Sequence, residues 1–475
     1  MNFKSEFSSN FLREFKERGF FAQATHAEEL DAALAKGAVT AYIGFDCTAK
    51  SLHAGSLIQI MILRLLQKHG HKPLVLLGGG TTKIGDPSGK DEARQVLTPE
   101  KIQENLNGIR KTLEKFISFE GNNAATLVNN DDWLKNLNYL EFLRDVGKHF
   151  SINRMLTFDS VKTRLEREQS LSFLEFNYMI LQAYDFYELN KKYGCSLQIG
   201  GSDQWGNIVN GVELVRVKNL PDYYKKREEL FNKFKDKSSD HAQFKNIEEL
   251  SKLALNDLSS AKINHLAIEA DHFLKELDNL YCDMVSSFGL TSPLLTTADG
   301  KKMGKSADGA VWLDAEMLSP FDYFQYFRNT HDKDVGKFLR LFTDLEIAEI
   351  ENLEKLKDQE INKAKEVLAF EVVKICHGEN VANEVLQKAR EIFVAKSSTA
   401  FEVKEVSLSD EVKKLIEIMK EIGAVESNGE AKKLIEGKAV KINGEAVIDV
   451  QLSFKEAAEF DLSVGKKKFF KIVIK

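Results

Sequence analysis

The chain has 475 residues, 43% of them hydrophobic and 29% charged, with a formal net charge of −6. That length predicts two or three domains with cores of their own, and the charge does not point to a general nucleic-acid binder, although a basic patch within one domain is compatible with it. Cys47, Cys195, Cys282 and Cys376 form no Cys-x-x-Cys pair, so a zinc ribbon and a disulfide framework are disfavoured and a reduced, cytoplasmic protein is expected.

At the N-terminus, Phe3, Phe7, Phe11, Leu12 and Phe15 recur at helical spacing among Glu6, Glu14 and Glu17. This predicts an amphipathic helix packed on the domain and not a targeting segment. No apolar run is long enough to span a bilayer, so no membrane association is expected. Ala38 to Phe45 reads as a buried strand, Ala54 to His69 as a helix apolar nearly all round and stopped at Gly70, and Pro73 to Leu77 as a second strand entering Gly78-Gly79-Gly80. Strand, helix and strand in that order predict a parallel sheet covered by helices. The turn between the first strand and its helix carries Tyr42, Asp46, Thr48 and His53, at a place where a nucleotide can bind.

Gly85 to Lys90 lacks the spacing of a phosphate loop and is read as lining the same pocket, with Asp86 the residue of interest. Thr98-Pro99 starts a helix, threonine capping and proline in the first turn. A strand at Ala125 to Val128 and a helix from Tyr139 to His149 follow. On the helix from about Ser172 to Lys191, Tyr178, Gln182 and Asp185 are spaced by four and three, which puts them on one face. They are either a polar stripe serving a site or three surface polar residues. Ser196 to Ile199 is read as a strand running through Gly200-Gly201-Ser202-Asp203-Gln204 into another helix.

Asn219 to Cys282, rich in lysine and glutamate, reads as an insertion of two or three surface helices. Leu290 to Leu295 regains strand character and leads to the cationic loop Lys301-Lys302-Met303-Gly304-Lys305-Ser306, whose competing reading is a solvated charge run. From Ser319-Pro320 the chain is helical to about Val394, around Tyr323, Phe324, Phe327, Phe338 and Phe342. Ser397 to Glu411 reads as a linker. Short strands follow from Lys438, with Asn443-Gly444 as a hairpin turn. Between Asn428 and Lys475 ten lysines oppose seven acids, and Lys466-Lys467-Lys468-Phe469-Phe470 sets cations beside aromatics, a combination suited to RNA.

His53-Ala54-Gly55-Ser56 after a strand, with Lys302-Met303-Gly304-Lys305-Ser306 much later, resembles the two signatures of class I aminoacyl-tRNA synthetases. Tyr42 to Asp46, Ile84 to Lys90 and Gly200 to Asn207 narrow the resemblance to the bacterial-type tyrosyl-tRNA synthetase family. It implies a Rossmann-like α/β catalytic domain at 1–315 with the insertion at about 219–282, then a helical anticodon-recognition domain at 316–396. A linker at 397–411 and a small α+β S4-like RNA-binding domain at 412–475 complete the expected order.

By the same resemblance, tyrosine and ATP form tyrosyl-adenylate, and the tyrosyl group then passes to tRNA(Tyr). Tyr42 and Asp185 would bind the substrate hydroxyl, and Asp86, Tyr178 and Gln182 its ammonium group. Gly44, Asp46, Gly55, Gly201, Asp203 and Gln204 would surround the adenylate. Thr48 and His53 would face the ATP phosphates, with Lys302, Lys305 and Ser306 closing over them. Mg2+ would accompany ATP, no protein-held metal or prosthetic group is expected, and the family is homodimeric. Where the family signature carries a second histidine that contacts the ribose, this chain has Ser56. The rival readings are a tryptophanyl-tRNA synthetase, which Asp185 and the basic tail disfavour, a non-catalytic RNA-binding relative, and a small-molecule nucleotidyltransferase.

Overall fold

The computed structural model describes residues 7–83, 97–237, 276–277, 279–280, 286–298, 300, 303–306, 309–393, 402–407, 413–465 and 468–475. The chain divides into two compact units, 1–379 and 380–475.

In the first unit six strands, β1 (Gln23–Ala24), β2 (Thr40–Phe45), β3 (Lys72–Leu77), β4 (Thr126–Asn129), β5 (Cys195–Gly201) and β6 (Phe288–Ser292), form one sheet in the order β1-β6-β5-β2-β3-β4. β2 to β6 run parallel and β1 pairs antiparallel at the edge. The chain winds outward from β2 through β3 and β4, then returns to lay β5 on the other side of β2. The order therefore reverses between β2 and β5, and the carboxyl ends of those strands open on a crevice. The predicted βαβ unit is the middle of this sheet, and its helix, Leu57–Lys68, buries eight apolar side chains.

The predicted helix starts are capped as their residue types demand. The hydroxyls of Thr98, Ser172 and Ser319 accept from backbone N–H groups of Lys101, Glu175 and Asp322. Glu175 answers with its carboxylate on the Ser172 N–H, completing a capping box, and Gly194 closes the Phe173–Tyr193 helix in the left-handed region at φ 62°. The N-terminal segment is helical over Asn10–Glu17 with Phe11, Leu12 and Phe15 buried, as its spacing implies. From the end of that helix Arg18, 5% exposed, donates to the carbonyls of Arg340, Thr343 and Leu345, fastening the N-terminus to the helical stretch.

Three expectations change. The helix Trp205–Lys237 is continuous, so the stretch read as an insertion begins as the tail of a core helix in which Tyr223 is fully buried. Residues 238–275 of that stretch lie outside the described residues. The helix expected from Tyr139 to His149 ends at Asp145 and gives way to a 3-10 turn at Gly147–His149.

The third concerns the C-terminal unit. Two short strands of the first unit, β7 (Lys305–Ser306) and β8 (Gly309–Ala310), precede it. In the second unit β9 (Glu402–Val406) falls inside the supposed linker and pairs in parallel with β15 (Lys468–Ile474). It completes a sheet ordered β12 (Glu445–Ala446), β11 (Val440–Ile442), β14 (Ala458–Val464), β15, β9, while β10 (Lys413–Lys414) and β13 (Ser453–Phe454) pair with each other. Charged residues at Glu402, Lys404 and Glu405 conceal it, and Val403 is 57% exposed, so Val406 is left as its one buried apolar residue among those described. Val406 is buried in the same core as Ile418, Ile435, Leu462 and Ile472. Asn443 and Gly444, both at positive φ, make the expected hairpin turn between β11 and β12. Phe470 faces the core at 7% exposure while Phe469 is 37% exposed. The period of two therefore leaves one aromatic, not two, on the outside of that strand.

Candidate active site

A pocket of about 380 Å³ opens at the switch point, a size suited to a small ligand. It is lined by Tyr42, Gly44, Asp46, His53, Gly55, Tyr178, Gln182, Asp185, Gly201, Asp203 and Gln204, so eleven predicted residues from three separate segments meet in one cavity. Thr48 is exposed and Ser56 partly buried, and neither lines it. Asp86 and Lys302 lie outside the described residues, as do the side chains of Lys305 and Ser306, whose backbone forms β7.

One end of the pocket is closed and polar. Tyr42 is 2% exposed on β2, packed against Phe186 at 5.4 Å between ring centres, and its hydroxyl has no partner among the described residues. Burial, with Asp185 and Cys195 adding to it, pushes the phenol well above its ordinary pKa, so this hydroxyl keeps its proton. Asp185, also 2% exposed, accepts from Trp133 Nε1 at 2.7 Å and Asn130 Nδ2 at 2.9 Å. Burial pushes its carboxyl up to about 7 although both hydrogen bonds pull the other way. The three residues read as one helical stripe are therefore an inward stripe: Tyr178 and Asp185 are buried and Gln182 partly so.

Asn130 and Gln198 line the pocket without having been singled out in the sequence, Trp133 touches Asp185 in the same way, and Asn207 closes the Gly200–Asn207 motif without a role read for it there. Asn130 is oriented by accepting from the Gly80 N–H at 2.8 Å, which leaves its amide N–H groups for Asp185 and Thr81. Asn207 donates to both Gln182 at 2.8 Å and Gln204 at 3.0 Å, tying two segments of the lining together. Gln198 lies opposite Tyr42 in the β2–β5 register, and its Oε1 is buried without a partner among the described residues. A polar residue between two apolar ones, Leu197-Gln198-Ile199, is the one signal that marks it.

At the other end the two distant signature segments lock together through backbone. Ala54 N–H donates to Val311 O at 2.7 Å, Val311 N–H to Gly304 O at 3.0 Å, and Met303 N–H to Leu295 O at 3.1 Å. His53 pairs with Trp312 as an isolated bridge, and its Nδ1 accepts from the Gly55 N–H at 3.0 Å. That bond places the ring proton on Nε2. The capping and the functional readings of His53 both hold, since it caps the 3-10 turn and lines the pocket. A helix, Pro99–Leu113, braces this turn from behind. Asn105 donates to Cys47 O at 2.8 Å, and Gly108 lies so close that a Cβ there would stand 2.0 Å from Lys50 O.

A switch-point pocket with a buried amino-acid-sized polar end and a histidine turn clasped by a lysine-bearing loop defines a class I aminoacyl-tRNA synthetase. The model of the family described as tRNA synthetases class I (W and Y) matches residues 34–256 and 271–394, and that of the Tyrosine--tRNA ligase SYY-like C-terminal domain matches 397–472. The chain belongs to the tyrosine--tRNA ligases of this class. It is 50% identical to the tyrosine--tRNA ligase of Wolbachia pipientis subsp. Culex pipiens over 98% of each chain, and equally to that of Ehrlichia ruminantium strain Welgevonden. A solved structure, the C-terminally truncated mitochondrial tyrosyl-tRNA synthetase of Aspergillus nidulans, is similar with a TM-score of 0.60 at 29% identity, covering 81% of this chain and 94% of its own. The family match is interrupted only between residues 256 and 271, a narrower gap than 219–282.

Proposed function

We propose that the pocket binds L-tyrosine with its phenol against Tyr42 and Asp185, activates it with ATP, and passes the tyrosyl group to the 3′ end of tRNA(Tyr). The observation that carries the assignment is the buried pair itself, an unpartnered hydroxyl beside a carboxylate at the closed end of the pocket. A substrate lacking a hydroxyl leaves both unpaired, which is how phenylalanine is rejected. A site built to hydrogen-bond a substrate hydroxyl discriminates far more sharply against the analogue lacking it than an apolar pocket can. An indole offers one N–H and no hydroxyl, which disfavours tryptophan.

Tyr178, Gln182 and Asp86 take the ammonium group in this reading. Asn207, by donating to Gln182 Oε1, holds that oxygen as an acceptor. The substrate carboxylate attacks the α-phosphate directly, so no side-chain nucleophile is required. The work of the site is positioning and charge stabilisation. Asp46, Gly201, Asp203 and Gln204 surround the adenylate. His53, Thr48, Lys302 and Lys305 face the phosphates, and the histidine presents an Nε2 donor to them. Mg2+ accompanies ATP as part of the nucleotide substrate, where it would neutralise phosphate charge.

Amino-acid-dependent exchange of labelled pyrophosphate into ATP tests the assignment. Tyrosine is expected to support exchange, while tryptophan and phenylalanine fall at least about a hundredfold below it. Exchange with tryptophan equal to that with tyrosine would sink it.

The same reading places the protein in the cytoplasm as a homodimer whose C-terminal unit binds tRNA. Support for a dimer comes from large apolar side chains exposed along one stretch of the catalytic unit: Leu140 at 75%, Ile152 at 63% and Phe173 at 68%. Ile152→Glu is expected to shift the sedimentation of the protein from dimer toward monomer at micromolar concentration. A wild-type chain that sediments as a monomer at about 10 µM contradicts it.

A further inference from the structure

The backbone arm 311–313, which joins the two signature segments, is itself held from behind by side chains that do not line the pocket. It runs antiparallel to 52–54: Leu313 N–H donates to Leu52 O at 3.0 Å, Trp312 bridges His53, and Ala54 N–H donates to Val311 O. Leu313 is fully buried, and no backbone N–H among the described residues donates to its carbonyl. A buried carbonyl needs a partner. Two side chains from distant elements supply it. Lys115 Nζ, just past the Pro99–Leu113 helix, donates at 3.1 Å, and Cys376 Sγ, in the last turn of the Ile361–His377 helix, donates at 3.3 Å.

Both holders are anchored. Ser51 Oγ lies 3.2 Å from Thr112 Oγ1, so the end of the Pro99–Leu113 helix holds Ser51-Leu52 on one side and, through Lys115, Leu313 on the other. Cys376 is 2% exposed, and next to it His377 meets the buried ring of Tyr323 edge-on at 5.5 Å. Burial pushes the Cys376 thiol up to about 12, so it keeps the proton it donates. A thiol is a weak donor and an ammonium a charged one, so Lys115 supplies most of the hold. Any displacement of Leu313 passes to His53 through the bridge and to Gly304 through the Val311 N–H. A misplacement of about 1 Å at reacting groups is enough to cost about a hundredfold in rate.

We infer that Lys115, assisted by Cys376, is a positioning residue for tyrosine activation. The pair grips Leu313 O, fixes the arm against 52–54, and so sets the phosphate end of the pocket without touching substrate. A helix of the C-terminal helical stretch thereby takes part in the activation step before any tRNA is bound. The inference rests on the pocket being the tyrosine-activating site, and its test separates the two.

The test is tyrosine-dependent pyrophosphate exchange, with equilibrium binding of tyrosine alongside, on the full-length protein. The variants are Lys115→Met, Lys115→Arg, Cys376→Ala and the double substitution Lys115→Met with Cys376→Ala. Lys115 is exposed, so Lys115→Met removes the donor and leaves the core intact. It lowers kcat about tenfold and keeps Kd for tyrosine within about twofold, the size of one charge-assisted hydrogen bond. Lys115→Arg restores a charged donor and returns kcat to within about threefold of wild type. Cys376→Ala alone costs about threefold, and the double variant loses more than the product of the two, because no donor then remains for the carbonyl. An unchanged kcat in Lys115→Met overturns the inference. An equal loss in Lys115→Arg overturns it too, as does tyrosine binding that weakens in step with kcat, the mark of a packing defect. Losses that merely multiply in the double variant overturn the shared hold on Leu313 O. Failure of wild type to exchange with tyrosine overturns the site reading, and this inference with it.

Discussion

Asp185→Ala lowers kcat/KM for tyrosine by about a thousandfold or more in pyrophosphate exchange, while the folded protein retains its ATP site. The carboxylate accepts from Trp133 Nε1 and Asn130 Nδ2 and lies in the field of the Tyr42 hydroxyl. Removing it orphans buried donors at about 1–3 kcal/mol each and deletes the partner of the substrate phenol, and about 4 kcal/mol corresponds to a thousandfold in rate. Asp185→Asn offers little rescue. Its amide has one oxygen for two donors, Trp133 Nε1–H and Asn130 Nδ2–H, and Asn130 cannot offer its own oxygen without dropping the Gly80 N–H, so an NH2 faces a donor in either orientation. A variant of either kind with wild-type tyrosine kinetics removes Asp185 from the substrate site.

The same carboxyl makes the site sensitive to pH. Burial pushes it up to about 7 from an ordinary 3.8, so below about 7 the free enzyme holds it protonated. A protonated Asp185 gives up acceptor capacity that Trp133, Asn130 and the phenol all require. kcat/KM for tyrosine in the wild type is therefore expected to rise with pH through about 7 and then level. Stability runs the opposite way. A group whose folded pKa is raised binds its proton more tightly when folded, so its contribution is full below about 3.8 and is lost as pH rises to about 7. Activity and apo-protein stability with opposite slopes between about pH 5 and 7, and both slopes absent from Asp185→Ala, are the joint signature. A flat kcat/KM profile across that range contradicts the assignment.

How much of this was legible in the sequence depended on whether the information was local. Caps at Thr98, Ser172 and Ser319 and the turn at Asn443-Gly444 are decided within four residues, and each forms as its residues dictate. Tyr42, Asp46 and His53 share one short stretch whose strand-to-helix turn is written in its hydrophobic pattern. Asn130 and Trp133 carried no such signal. They matter because β4 ends beside β3 and delivers them to a carboxylate more than fifty residues away. β9 was hidden for a related reason. Its ladder partner β15 lies some seventy residues on, and an edge strand charged at three of its five positions looks like a linker until that partner is known.

The clasp between the two signature segments depends on two glycines, and Gly55→Ala is expected to lower kcat for exchange by about a hundredfold with tyrosine binding unchanged. A Cβ at Gly55 would lie 2.7 Å from His53 Cε1 and 2.9 Å from both His53 Nδ1 and Met303 O. The first two contacts push the imidazole off its Gly55 N–H bond, and the third pushes away the backbone of the lysine loop. Neither neighbour yields cheaply, because Met303 is tied to Leu295 and Gly304 to Val311. Gly304, at φ +105°, approaches Gly55 N within 2.7 Å of its own would-be Cβ, so Gly304→Ala adds backbone strain to the same displacement. Tyrosine binding is spared, because the closed end is built by β2, the Asn130 turn and the Phe173–Tyr193 helix, none of which contains a residue of the clasp. Equilibrium binding of tyrosine, followed by intrinsic fluorescence, separates this outcome from misfolding. If Gly55→Ala binds tyrosine normally and also turns over at the wild-type rate, contact between the two segments is not what positions the phosphates. If both binding and turnover fail together, the glycine serves the fold and not the reaction.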